Sequence, residues 1–358
     1  MRRVVSGTGP NFGAAAKTTW EDGYMRAIMS AVEEAPMLID VAPAYANGQA
    51  ESLLGVTVSH DERIRYMTKL RIQRDGGPSA GEALTTSLAS LNRSEVDYLC
   101  THWSGSADQF RRDLELLVKA KEQGVAREIG LGNPTLGDLE IAQAEGVLKH
   151  VTFVQAEFSL SDSSIVSVLN AAGVQRLTVF GYSPLSEGRL APNQRARNVI
   201  RRVASRENVS DSEVVLAYLM RTPSVRPITV SSRPRRHLHN VGSANLDLAA
   251  ESWAELDQIN STITVEVCLG DIEVTRNLAG PKAYTSLKDA QMNEFGLTPS
   301  PTELSTQFLD GVPPLKLLKV TPHPEDEGKF LLVQGQLRYW AQVLAFGTDH
   351  NVRVVVTD

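Results

Sequence analysis

The sequence predicts an α/β fold: a closed (β/α)₈ barrel of the TIM-barrel kind over about the first 260 residues, followed by a small α/β unit. Three observations predict it. Eight short β-branched or apolar runs recur before residue 260, and amphipathic stretches with apolar positions three and four apart separate them. After a polar interval, a second and shorter strand-and-helix pattern returns. Such alternation is the mark of βα units on a parallel sheet, and a barrel of eight takes about 250 residues. An open doubly wound sheet also holds eight strands, so the count leaves that alternative standing.

In chain order the expected strands are Arg3 to Ser6, Met37 to Val41, Arg65 to Lys69, Val96 to Thr101, Glu128 to Leu131, Phe153 to Ala156, Leu177 to Gly181 and Arg226 to Val230. Between them, TWEDGYMRAIMSAVEEA, SAGEALTTSLASL, FRRDLELLVKAKEQG and DSEVVLAYLM carry helical spacing. The barrel is expected to end near residue 262. Residues 263–300 are polar without a clear period and read as a linker. From 301 to 358 the pattern is a helix (TELSTQFLDG), a strand (LKLLKV), an acidic turn, a strand (KFLLVQ), a helix (LRYWAQVLAFG) and a strand (VRVVVTD).

The chain has 358 residues, 42% hydrophobic and 22% charged, which excludes disorder throughout and leaves ample material for a core. Its 36 basic and 42 acidic residues give a formal charge of −6, so it has no global attraction for phosphate backbones or anionic lipid. Cys100 and Cys268 lie too far apart for a metal knuckle and are too few for a disulfide framework, so a reducing compartment and no metal are expected. No run of about 18 apolar residues occurs, and Met-Arg-Arg leads into the polar SGTGPNFG. A soluble cytoplasmic protein without a membrane partner is the expectation.

In a barrel, chemistry sits at the C-terminal strand ends. Asp40 ends the second strand, with Tyr45 five residues on; Lys69 ends the third; His102 follows the fourth. A lysine ammonium beside a phenol favours phenolate, which is expected to lower the Tyr45 pKa from about 10 and ready it for proton transfer. Asp40 would keep the lysine charged, and His102 would orient a carbonyl. Taken singly, each has a plainer reading as a cap, a rim residue or a surface charge; four at successive strand ends weaken that reading.

At these residues the sequence resembles the aldo-keto reductases, over roughly residues 1 to 260. IDVAPAYANGQAESLLG, MTKL and SLASLNRSEVDYLCTHW match the segments that carry that family's catalytic Asp, Tyr, Lys and His, here Asp40, Tyr45, Lys69 and His102. The resemblance implies a (β/α)₈ barrel that binds NADPH (or NADP+) without a Rossmann fold and passes hydride to a small-molecule carbonyl. Cofactor contacts implied by position are Gly7 and Thr8 at the first turn, Asn133 of GLGNP, Gln155, Tyr182 as the stacking ring, Ser183 and Leu185 in the loop over the pyrophosphate, and Ser231, Ser232, Arg233 and Asn240 at the adenosine 2′-phosphate and adenine. The basic segment also has its own argument. Pro234 reads as a helix start capped by Ser232, where crowded arginines oppose the helix dipole unless an anion is bound. Gly132 stands where the family usually has serine, and near Val230 it usually has glycine. The rival reading is a Rossmann oxidoreductase built on Gly7, Gly9 and Gly13 with Asp40 as the ribose acid; it leaves Lys69, His102, Asn133 and Tyr182 unexplained. The loop after Trp103 is short, which points to an open mouth admitting a bulky substrate such as a sugar or natural-product intermediate.

The closing segments resemble the ParB/sulfiredoxin-like fold, whose nucleotide-phosphate site would fall on Gly335, Gln336 and Arg338. That family usually has a second arginine where Leu337 stands. With 5 basic and 7 acidic residues from Pro301 to Asp358, nucleic acid is not an expected partner. The preferred expectation is docking or oligomerisation with Arg338 structural, a bound nucleotide being the alternative. For the whole chain, the reading set against a reductase is a non-catalytic NADP-binding or regulatory module acting through this unit.

Overall fold

The computed structural model describes residues 4–9, 18–34, 36–70, 79–191, 193–260, 264–297, 299–310 and 317–356. The chain divides into two compact units, Met1–Ala191 with Val199–Leu256, and Pro192–Asn198 with Asp257–Asp358. Gly13, and 311–316 of the ParB-like resemblance, lie outside the described residues.

The first unit is a closed parallel barrel, which settles the choice against an open sheet. Its strands are β1 (Val5–Gly7), β2 (Met37–Asp40), β3 (Ile64–Lys69), β4 (Val96–Cys100), β5 (Ala126–Gly132), β6 (Val151–Glu157), β7 (Thr178–Tyr182) and β8 (Val225–Thr229), and β1 pairs with β8 to close it. All eight expected strands form, within a residue or two at each end. The helices are α1 (Thr18–Glu34), α2 (Gln49–Thr57), α3 (Ala80–Ser90), α4 (Ala107–Glu122), α5 (Leu136–Ala144), α6 (Ser164–Ala171), α7 (Gln194–Glu207), α8 (Asp211–Leu219), α9 (Pro234–Gly242) and α10 (Ala250–Asp257). Several start on a capping box, Ser79 with Glu82, Thr135 with Asp138 and Ser210 with Glu213, so the sequence itself sets where these helices begin.

Strand alternation decides what faces the lumen. Val5, Leu38, Met67, Cys100, Phe153, Phe180 and Ile228 form one buried cluster, with Tyr98 and Tyr182 packed against it. Two residues further along their strands, Asp40, Lys69 and Gln155 must then point the same way. The register aligns them, pairing Gly7 with Asp40, Asp40 with Met67 and Lys69 with Cys100. An apolar plug therefore lies beneath a polar layer at the strand ends.

The second unit holds β9 (Thr264–Cys268), β10 (Ile272–Glu273), α11 (Arg276–Ala279), α12 (Leu287–Met292), α13 (Pro301–Leu309), β11 (Leu318–Pro322), β12 (Phe330–Gln334), α14 (Gln336–Phe346) and β13 (Asn351–Val356), with sheet order β10-β12-β11-β13-β9. Residues 263–300, expected as a linker, instead supply the edge strands β9 and β10 and, through Leu269, Ile272, Tyr284 and Ala290, part of this unit's core. Elements of two to six residues joined by turns leave no period to detect, which is why the sequence pattern missed them. Trp340 belongs to the same core and donates from Nε1 to the Tyr284 carbonyl at 2.7 Å.

Helices α2 and α3 meet at Gly55, where a Cβ would stand 2.0 Å from the Ser90 carbonyl oxygen. Gly55→Ala is therefore expected to cost about 2 to 3 kcal/mol, as overpacking against rigid backbone does. A thermal unfolding midpoint equal to the wild type would show that the two helices part without cost.

Candidate active site

Lys69 is 2% exposed and Asp40 4%, and Nζ donates to Asp40 Oδ1 at 2.7 Å. The same ammonium donates to the Val41 carbonyl at 3.0 Å and to Tyr45 Oη at 3.3 Å. Thr8 donates to the Asp40 carbonyl from both its backbone N–H and its hydroxyl, fixing the β2 end against the β1 turn. The Tyr45 and His102 rings meet edge-on, with centroids 6.0 Å apart. The four residues expected to act together thus form one contiguous group at the end of the barrel.

Burial alone would lower the Lys69 pKa, but the charges of Asp40, Tyr45 and Cys100 outweigh it, so the ammonium is held above its ordinary value. Burial also dominates at Tyr45 and raises its pKa; Lys69 lowers it by less. This corrects the expectation of a depressed phenol pKa, because the phenol loses more hydration than the ammonium returns in attraction. Tyr45 therefore keeps its proton through the neutral range. His102, desolvated and facing the Lys69 charge, falls to about 4 and is neutral there, with Nδ1 buried and unpartnered.

Around this group lie other expected residues. Gln155 Nε2 donates to Asp40 Oδ1 at 2.7 Å, so this amide is tied to the ion pair. Asn133, at a positive φ of 50°, donates to the His102 carbonyl and accepts from Tyr182 Oη at 2.8 Å. Ser183 also has φ 50°, and Leu185 precedes a single 3₁₀ turn, Ser186–Gly188.

The basic segment forms a separate cluster after β8. Arg233, not Ser232, occupies the N-cap of α9, without a side-chain cap bond, and Ser231 Oγ accepts from the Arg233 N–H. The cap expectation fails because the extended cap position falls one residue later, directly before Pro234. Asn240 is 1% exposed with Oδ1 unpartnered. The described residues hold no group of three or more His, Cys, Asp or Glu placed to bind a metal, and no described helix is long and apolar enough to cross a membrane.

Sequence reasoning missed Thr101 and Glu51. Thr101 Oγ1 accepts from the Gly132 N–H at 2.9 Å, and a Cβ on Gly132 would fall 2.1 Å from the Thr101 carbonyl oxygen. The glycine that departs from the family pattern was the available signal.

Comparison with known proteins identifies the family of the barrel. The model of the Aldo/keto reductase family matches residues 4–261. Among similar curated proteins, methylglyoxal reductase YeaE of Escherichia coli K12 is 28% identical over 257 residues, covering 68% of this chain and 90% of that one. Methylglyoxal reductase DkgB of E. coli O157:H7 is 28% identical over 252 residues, with the same coverage. Among solved structures, the NADPH complex of an aldo-keto reductase from Klebsiella pneumoniae has the same fold, with TM-score 0.63 and 21% identity over 72% of this chain and 90% of that one. The chain belongs to the aldo/keto reductase family.

Gly132→Ser, although it restores the family's usual residue, is expected to lower the unfolding midpoint by several degrees, since the backbone of Thr101 and His102, just past β4, fills the space. A gain in stability or in cofactor affinity, read by thermal unfolding and fluorescence titration, would contradict this steric account.

Proposed function

We propose that the chain is an NADPH-dependent carbonyl reductase converting an aldehyde or ketone to an alcohol. The observation that carries the reading is the buried Asp40–Lys69–Tyr45 relay, with Nζ 2.7 Å from the carboxylate and 3.3 Å from the phenol. The residues present fit the cofactor. The unpartnered Asn240 Oδ1 suits an adenine amino group, and Arg233, Arg235 and Arg236 at the start of α9 suit the 2′-phosphate. Asn133, Gln155 and Tyr182 would hold the nicotinamide, and Gly7, Thr8, Ser183, Leu185, Ser231 and Ser232 the remainder.

Bound NADPH supplies hydride to the carbonyl carbon. Tyr45 Oη donates its proton to the carbonyl oxygen, and the Lys69 ammonium stabilises the phenolate left behind. Asp40 keeps Lys69 charged and in place. Neutral His102 offers a ring N–H to the same carbonyl oxygen and so fixes its approach. Methylglyoxal, named for two relatives, is the first substrate to test. A bulkier sugar aldehyde is the second, because Trp103, 50% exposed, follows His102 directly. Intact Asp40, Tyr45, Lys69 and His102 disfavour the non-catalytic alternative.

The C-terminal unit is an accessory module in this reading. Its ParB-like character rests on the segment resemblance and on Gly335, whose φ of 104° turns the chain into α14. Gln336 is committed on both sides, accepting from the Tyr284 N–H and donating to the Lys282 carbonyl. Arg338 donates to the Leu317 carbonyl at 3.4 Å, in keeping with a structural role.

Tyr45→Phe is expected to cut turnover about 10²- to 10⁴-fold while NADPH still binds, because the phenol acts on the carbonyl oxygen; near-wild-type turnover would overturn the reading. NADPH is expected to bind more tightly than NADH, and equal affinities in a fluorescence titration would refute the placement of Arg233. Reduction is expected to stay level through neutral pH. It should fall on the acid side only near pH 4, where His102 takes up a proton, and on the basic side only beyond the range of an ordinary phenol, because burial raises the Tyr45 pKa. An acid limb centred at 6.5 would mean that His102 is solvated.

A further inference from the structure

We infer that Glu51 and Thr68 form a positioning clamp on the outer side of the barrel that holds the Tyr45 turn against Lys69. The inference rests on the reductase reading for its meaning, but its geometry stands alone. Tyr45 opens a tight turn in which Ala46 (φ 47°), Asn47 (φ 54°) and Gly48 (φ 87°) are all left-handed. Two consecutive non-glycine residues in that region cost roughly 1 to 2 kcal/mol each, so the turn does not hold this shape unaided. Nor is it fully backed by packed side chains. A cleft of about 280 Å³ lies behind it, lined by Pro43, Asn47, Gly48, Glu51 and Ser87 among others.

The turn runs straight into α2, and Glu51 lies in the first turn of that helix, 1% exposed. Its Oε1 accepts from Thr68 Oγ1 at 2.6 Å, and Thr68 is itself fully buried. Thr68 immediately precedes Lys69 on β3, so strand alternation sends Lys69 into the lumen and Thr68 out towards the helices. The result is a ring: Tyr45 meets Lys69 inside the barrel, Glu51 meets Thr68 outside it, and a few residues of backbone join the two contacts. Burying the carboxyl costs hydration and raises its pKa, against the Thr68 and Ser87 hydroxyls and the Lys69 charge, which lower it. An apolar residue would fill the same space without that cost but would not accept from Thr68.

The test uses the full chain with Glu51→Ala, Glu51→Gln, Thr68→Val and the Glu51→Ala/Thr68→Val pair, each checked for folding by circular dichroism. With methylglyoxal and NADPH, kcat is expected to fall at least tenfold in the Ala and Val variants while KM and the NADPH dissociation constant stay within twofold. Glu51→Gln should remain within about twofold of wild type, since its amide oxygen still accepts from Thr68, and the pair should be no worse than either single change. Independently of activity, the Tyr45 ring resonances, assigned with Tyr45→Phe, should shift in the Ala and Val variants and not in Glu51→Gln. If Glu51→Ala does not fold, the near-isosteric Thr68→Val carries the test. Wild-type kcat with unmoved Tyr45 resonances in folded Thr68→Val, or a Gln variant as impaired as Ala, overturns the clamp. Full activity in Tyr45→Phe overturns the reductase reading instead, and the resonance comparison then still decides the clamp.

Discussion

The site depends on one buried ion pair. A lysine removed from water ordinarily sheds its proton, and Lys69 keeps its own because Asp40 lies 2.7 Å away in the same dry layer. Losing either partner of such a pair typically costs about 3 to 5 kcal/mol, because the survivor is left as an uncompensated charge. Several polar groups in the layer answer to that pair. Val41 and Tyr45 take the remaining protons of the ammonium, and Gln155 shares the Asp40 oxygen. Thr8 holds the Asp40 backbone, and burial, with the Lys69 charge adding to it, keeps His102 neutral. Beneath lies an apolar plug of buried side chains.

Much of this was legible in the sequence because a barrel strand has a strict period of two. Once Leu38, Met67 and Phe153 are read as lumenal, Asp40, Lys69 and Gln155 must share their face two residues on, at the catalytic end. Strand ends single out Asp40 and Lys69, with Tyr45 and His102 just beyond them, whereas Thr8, Asn133, Gln155 and Tyr182 were legible as site residues only through the resemblance to the reductase family. What counting does not give is energy. The sign of the Tyr45 shift turns on whether lost hydration exceeds the attraction of Lys69, and that balance exists only once the ring's burial is known.

Two further features escaped the sequence for different reasons. The stretch after residue 263 was read as a linker because its ordered pieces are too short to show a period, yet Tyr284 and Leu269 are as buried as any barrel residue. Their order comes from tertiary bonds: Tyr339 Oη donates to the Leu269 and Ile272 carbonyls, and Gln336 bridges to Lys282 and Tyr284. A glutamate in the first turn of a helix has a sufficient explanation in the helix dipole, so nothing in its position along the chain singles out Glu51. Only its burial and its contact with Thr68 ask for another.

Gly132 shows how a departure from a family pattern can be an exchange rather than a loss. A serine there would offer a hydroxyl to a bound ligand. In this chain its place is closed by the Thr101 backbone, and the Thr101 hydroxyl accepts the Gly132 N–H instead. The strand ends of β4 and β5 thereby come close enough for Asn133 Nδ2 to reach the His102 carbonyl at 3.1 Å. The histidine backbone is thus anchored from β5 while its ring stays free to meet Tyr45. A donor given up on one side of the mouth is returned as rigidity on the other, where the His102 ring meets Tyr45.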